Sequence, residues 1–316
     1  MSEAQNILVG VDLSHGDHLI STDLTDAART VVDRAIELAS KSGANLTFFA
    51  AIDLPPHTLE YYEDEDPNAL LDLGNKADKV LDGLVQKAIG SGVKQAFAGH
   101  AVGKSWLELV KRVLRGHHDL LMAGTRDLSD LQTLIFGSTG LKLLRNCPCP
   151  VWITRAHIET KKRHVLVADD LSPVGARLIR LGAQIALAEG ADLHVLHALE
   201  HSWETSQIGI DPRQEAFLMR ASQTAESKIQ SHLDCPEVRA LSQPPKIHVR
   251  QGQAGKNILL AISELQIDLL VMATIARSGL AGFIMGNTAE RLLPQVTCSV
   301  IAVKPDDFKC PITLDS

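Results

Sequence analysis

Two short stretches of this chain have the residue types and spacing to hold an anion. The first reads Ala123-Gly124-Thr125-Arg126-Asp127, then nine residues, then Gly137-Ser138-Thr139. The second reads Met272-Ala273-Thr274-Ile275-Ala276, then the same nine-residue gap, then Gly286-Asn287-Thr288, with Arg277 inside the gap. A glycine followed by hydroxyl or amide side chains at a helix start presents free backbone N–H groups, and the helix dipole favours negative charge there. Small residues let a phosphate come close to that backbone.

The elements that must position these stretches are also written twice. Gly43-Ala44-Asn45-Leu46 returns as Gly190-Ala191-Asp192-Leu193, and Asp119-Leu120-Leu121 as Asp268-Leu269-Leu270. From Gly43 to Gly190 is 147 residues, and from Gly137 to Gly286 is 149. An offset near half of the 316 residues means two homologous domains rather than a short solenoid repeat.

In the first copy, short apolar runs alternate with helical periodicity. Strands are expected over 6–12, 46–52, 95–100, 119–123 and 150–154, and helices over 26–42, 77–89, 106–114 and 131–144. The second copy repeats this order from Val165 to Val303. Alternation of this kind predicts an α/β fold: two tandem, doubly wound, five-stranded parallel sheets. The expected domains are 1–155 and 164–305, joined by a polar linker over 156–163 and followed by a tail over 306–316. The last strands, 151–153 and 300–303, are the expected edges for intrachain pairing of the domains as a pseudo-dimer, which would hide an apolar edge. The polar insert holding Tyr61-Tyr62-Glu63-Asp64-Glu65-Asp66-Pro67 reads as a solvated surface loop.

Ligands of such folds sit beyond the carboxyl ends of the strands. That rule adds Asp12 and Ala51 to the first candidate site, beside Gly124, Gly137, Ser138 and Thr139. It adds Asp170 and Ala198 to the second, beside Ala273, Arg277, Gly286, Asn287 and Thr288.

Composition narrows the classes. The net charge of −7, with no long basic block, argues against nucleic acid. No apolar run reaches the ~18 residues of a membrane helix. The start Met1-Ser2-Glu3-Ala4-Gln5-Asn6 has neither the basic nor the apolar part of a signal peptide, and the five cysteines suggest no disulfide framework, so a cytoplasmic protein is expected.

The loop spacing, Val9-Gly10-Val11-Asp12, the Gly43-Ala44 turn and Cys149-Pro150-Val151 together resemble the universal stress protein family. That family's nucleotide loop reads Gly-x-x-Gly, nine residues, then Gly-Ser or Gly-Thr. Arg145-Asn146-Cys147-Pro148-Cys149-Pro150-Val151-Trp152 and the tail Val303-Lys304-Pro305-Asp306-Asp307-Phe308 resemble its tandem-domain E subgroup. The resemblance implies a sheet like that of the adenine-nucleotide alpha hydrolases and a stress-response role. It also implies ATP or AMP as ligand in some members and none in others.

Departures from the pattern matter as much. Asp127 stands where the second loop glycine is expected. A carboxylate ~4 Å from a phosphate costs about 1 kcal/mol in water and about 4 at an effective dielectric of 20, unless a divalent ion such as Mg²⁺ bridges them. Ala273 and Ala276 replace both loop glycines of the second copy and crowd its pocket. Arg277 still favours an anion, which makes the second copy the better nucleotide candidate. The leading expectation is a regulatory stress protein that binds ATP weakly, in one domain, or not at all. The alternatives are a slow ATP hydrolase in the second domain, using Thr288, Arg277 and Asp170, or a small-molecule or lipid sensor in the same cleft. Homodimer formation is left open.

Other constellations read as structural. Gly103-Lys104-Ser105 lacks the upstream glycine of a P-loop and, with its echo Gly255-Lys256-Asn257, reads as a turn entering a helix. His15 and His18, with Asp17, are a candidate metal pair present in the first copy alone. His100 and His197 read as satisfied strand-end histidines, and Cys149, echoed by Cys298, as a small buried hydrophobe.

Overall fold

The computed structural model describes residues 4–14, 18–125, 137–155, 163–200, 212–274 and 286–314. The chain forms two compact units: Met1–Glu159 with Asp306–Ser316, and Thr160–Pro305. The tail expected to stand apart thus groups with unit 1, where the Cys310 thiol donates to the Asn146 carbonyl at 3.3 Å.

Unit 1 runs β1 (Asn6–Gly10), α1 (Asp26–Ser42), β2 (Asn45–Ile52), α2 (Pro56–Asp64), α3 (Pro67–Gly90), β3 (Ala96–Val102), α4 (Ser105–Gly116), β4 (Leu120–Gly124), α5 (Ser138–Asn146) and β5 (Val151–Thr154). Its strands lie in the order β3-β2-β1-β4-β5, each pair parallel. Ile7, Leu8 and Val9 of β1 are wholly buried, as in a parallel sheet covered on both faces. The Thr25 hydroxyl caps α1 by accepting from the Ala28 amide at 3.2 Å. Gly43 ends the helix at φ 75°, a left-handed conformation that an L side chain resists.

Unit 2 repeats the scheme with β6 (His164–Ala168), α6 (Pro173–Glu189), β7 (Asp192–Leu199), α7 (Pro212–Leu233), α8 (Pro236–Arg239), β8 (Lys246–Gln251), α9 (Ala254–Glu264), β9 (Leu269–Ala273), α10 (Asn287–Leu292) and β10 (Ser299–Val303). The order β8-β7-β6-β9-β10 is again parallel throughout. Each unit is therefore the doubly wound, five-stranded parallel sheet expected from the sequence.

Several local expectations need correction. The acidic insert is helical, not a loop: α2 ends at Asp64, and the Asp66 carboxylate caps α3 at the Ala69 amide, 3.2 Å away. It escaped notice because α2 buries none of its residues, so it carries no apolar stripe. The helix expected from residue 131 begins, in the described residues, at Ser138, with Gly137 as its cap. The echo of Gly103 is Gly252, 149 residues on, and not Gly255. Gly103 and Gly252 have φ of 148° and 105°, whereas Gly255 lies inside α9.

Candidate functional site

In a sheet ordered 3-2-1-4-5, the connections leave β1 and β4 in opposite directions, and a crevice opens between their carboxyl ends. Unit 1 has a cavity of about 510 Å³ at that point. Asp12, Ala51, Gly124, Gly137, Ser138 and Thr139, the expected site residues, all line it. Thr125 of the same stretch lines it too, and sequence reasoning missed Thr25, Asp53 and Ser105. Asp53 had a signal, since it follows Ile52 at the carboxyl end of β2, where the crevice rule places ligands.

Each polar group has a local cause. Asp12 Oδ1 accepts from the Ser14 amide at 3.0 Å and the Ser14 hydroxyl at 2.6 Å, closing the turn after β1. Asp53 Oδ2 accepts from the Ser105 amide at 3.2 Å, capping α4 from the end of β2. Ser138 and Thr139 start α5 behind a glycine cap, so their N–H groups have no partner within the helix, and both residues line the cavity. Gly124 is needed for packing: a Cβ there would lie 3.0 Å from the Ala27 carbonyl oxygen of α1.

Unit 2 has the equivalent cavity, at about 270 Å³. Asp170, Ala198, Ala273, Gly286 and Thr288 line it, while Asn287 begins α10 from an exposed position and is not among the lining residues. Arg277 and Ala276 lie outside the described residues, as do Asp127, His15 and Asp17; His18 is exposed. Among the described residues, no group of three His, Cys, Asp or Glu is arranged to hold a metal ion.

Registers explain why the second cavity differs. Asp170 matches Asp12, 158 residues apart, and binds the Ser172 amide and hydroxyl as Asp12 binds Ser14. The residue before it is Val11 in unit 1 and Asp169 in unit 2, both buried. Asp169 has a fully buried side chain. Its Oδ1 accepts from the Leu171 amide at 2.8 Å, and its Oδ2 meets His232 Nδ1 of α7 at 3.0 Å. Its backbone oxygen takes His197 Nδ1 at 2.8 Å. A carbonyl can only accept, so Nδ1 of His197 carries the proton and the ring is satisfied, as expected. Among the described lining residues Asp169, Asp170 and Glu200 are acidic and none is Lys or Arg.

The architecture and both crevices fit one family, and its profile matches residues 3–155 and again 162–304. The chain belongs to the universal stress protein family. Its full length is similar to universal stress protein E of Photorhabdus laumondii, 23% identical over 99% of this chain and 98% of the relative. It is also similar to universal stress protein E of Escherichia coli K12, 27% identical over 66% of this chain and 67% of the relative. Among solved structures, a protein of unknown function from Pseudomonas aeruginosa PAO1 shares the fold at TM-score 0.68 and 22% identity, over 96% of this chain and 94% of that one. A universal stress protein from Archaeoglobus fulgidus does so at TM-score 0.60 and 20% identity, over 95% and 98%. Among the described residues no helix is long and apolar enough to cross a membrane.

The family also accounts for groups with no role in the crevice. Cys147 and Cys149 are buried with their sulfurs 3.5 Å apart, and Cys298 is buried in unit 2. The thiol hydrogen bond from Cys147, then burial, pushes the Cys149 thiol well above its usual range, as befits an inert core residue. His100 Nδ1 is held at 2.6 Å by Asp78 of α3.

Proposed function

We propose that this protein is a stress-response regulator in which unit 1 carries the nucleotide-binding crevice and unit 2 does not take a triphosphate. The observation that carries this reading is the 510 Å³ cavity with the uncapped start of α5 in its wall. That volume lies within the ~300–1,000 Å³ of small-molecule sites, whereas the 270 Å³ of unit 2 falls below it. Volume thus runs against the order suggested by the loop residues, where the second copy looked better. In unit 2 the first loop position carries a methyl group, Ala273, and three carboxylates line a crevice half the size.

An adenine nucleotide is the ligand favoured in unit 1. Phe49, Leu109, Leu143 and Ile153 give the cavity an apolar wall for a base. Ser138, Thr139 and Thr125 give the hydroxyl and amide donors for a phosphate. Asp12 and Asp53 line the same cavity but are bound to Ser14 and Ser105, so magnesium would come in on the phosphates of the nucleotide rather than at a site these acids build. Hydrolysis has less support. It needs a group that positions water, and the Asp170 carboxylate named for that role accepts from the Ser172 amide and hydroxyl, while its neighbour Asp169 is committed to His232 and the Leu171 amide.

Titration of the full chain with ATP and with AMP, each with and without Mg²⁺, tests the reading. Saturable binding of one nucleotide per chain, without release of phosphate, is expected. Two equivalent sites, or steady turnover, would overturn it.

A further inference from the structure

Unit 2 contains a row of three imidazoles laid across neighbouring strands. His164 of β6, His194 of β7 and His248 of β8 touch ring to ring. His164 Nδ1 lies 3.3 Å from His194 Nε2, and His194 Nδ1 lies 3.1 Å from His248 Nε2. The middle ring is buried, and stacks on His248 with centroids 5.3 Å apart. Among the described residues the row matches no metal-binding arrangement.

Strand register identifies the same three places in unit 1. They hold Asn6, Thr47 and Gly99. Thr47 bonds a single imidazole, His118 Nε2 at 3.1 Å, and no second ring lies on it among the described contacts. The row therefore belongs to unit 2 and not to the shared fold.

Proton counting shows what the row tolerates. Three rings have six nitrogens, and four of these meet in two N···N contacts, each needing one hydrogen. Three neutral rings supply three hydrogens: two for the contacts and one for an outer nitrogen. A fourth fits on the remaining outer nitrogen, but brings a charge into the sheet. A fifth forces two N–H groups to face each other, and a contact breaks. The surroundings oppose even the first charge. Burial and the neighbouring imidazole of His248, then Lys246 and His164, hold His194 down to about 4, against Asp192, which favours the charge. Burial, Arg250 and Lys246 lower His248, against Glu264 of α9. The two cations are themselves paired, Lys246 with Asp192 at 3.6 Å and Arg250 with Glu264 at 2.8 Å. On the β6 side, Asp268 accepts from the His164 amide at 2.7 Å.

We propose that the imidazole row is an acid-sensitive latch on the β7–β8 edge of unit 2: the closed row refuses protons that its histidines take up once released, so mild acidification loosens β8 while unit 1 keeps its sheet. The sign follows from linkage. A histidine held below its free value near 6.5 contributes stability above that pH and loses it as pH falls. For His194 alone, held at about 4, the closed state weakens roughly thirtyfold between pH 7.5 and 5.0.

Hydrogen exchange of the full chain, corrected for the intrinsic pH dependence of exchange, reads this directly. Protection over Lys246–Gln251 should fall roughly thirtyfold from pH 7.5 to 5.0, with a smaller change over Ala96–Val102 of unit 1. His194→Thr, which copies unit 1, should remove most of the fall. His248→Gln, at a half-buried position, leaves His194 buried and should remove a smaller part. Protection that stays level across this range, or falls equally in both variants and wild type, overturns the proposal. So does a His194 imidazole that titrates near 6.5 by NMR in the unaltered chain, a readout that needs no variant to fold.

Discussion

Ser138→Pro isolates the helix start proposed to hold a phosphate. Ser138 is the first residue of α5, where the backbone N–H has no partner inside the helix. Proline deletes that donor and suits the position, because its fixed φ matches a first helical residue. The residue before a proline must be extended, and Gly137 already sits at φ −55° and ψ 162°. The first helical bond, Leu141 amide to Gly137 carbonyl at 3.1 Å, is untouched. Folding stability should therefore stay within about 0.5 kcal/mol of wild type, as for an ordinary surface change. Binding should not. A hydrogen bond to a charged group is worth about 1.5–3 kcal/mol, so the Kd for ATP should rise roughly 10- to 150-fold. Ser138→Ala separates the hydroxyl from the amide and should account for only part of the loss. Asn287→Pro makes the same change at the start of α10, where Gly286 has φ −59° and ψ 144°, and should leave ATP binding unchanged. Calorimetric titration of the three variants, beside thermal unfolding, gives both quantities. An ATP affinity that survives Ser138→Pro but falls in Asn287→Pro would refute the assignment to unit 1.

Three further outcomes concern stability and chemistry. Asp169→Ala should cost about 3–5 kcal/mol in denaturant unfolding, because it leaves His232 and the Leu171 amide without their buried partner. Gly175→Ala should disturb the same carboxylate, since its Cβ would fall 1.8 Å from Asp169 Oδ1, and should lower stability by at least 1–3 kcal/mol. An aromatic disulfide reagent should modify half-buried Cys235 and Cys310 first, leaving Cys147, Cys149 and Cys298 protected until unfolding, as followed by peptide mass spectrometry.

The fold was legible because burial leaves a periodic trace. The apolar faces of α1 and of the central strands set their ends to within a residue or two of the observed ones. The Gly43 and Gly190 turns marked the chain where it needs φ near 75° and 63°. What burial does not touch left no trace: α2 buries nothing, and α8 is four residues long. The site was legible in part. Spacing and the crevice rule found its floor, but Thr25 and Asp53 reach it from elements whose approach only the assembled sheet reveals. The imidazole row was invisible for the same reason. His164, His194 and His248 lie 30 and 54 residues apart, and only register brings them side by side.

Duplication separates what the fold needs from what has been added. The aspartate turns at Asp12 and Asp170 recur with the same bonds. So does the acid just after the second strand that caps the helix following the third: Asp53 to the Ser105 amide of α4, and Glu200 to the Ala254 amide of α9 at 2.7 Å. These acids therefore argue for architecture first, and their presence in a crevice is weak support for metal or catalysis. Two unshared features of unit 2 act in one direction. Asp169 brings a buried carboxylate where unit 1 has Val11, and Ala273 adds a methyl group where unit 1 has Gly124. Both disfavour an anion, in line with the proposed assignment to unit 1. Meanwhile unit 2 has gained the three-imidazole row, on positions that unit 1 fills with Asn6, Thr47 and Gly99. Lost anion capacity and gained proton sensitivity in one copy are what division of labour between duplicated domains would produce: one unit kept for a ligand, the other made responsive to its surroundings.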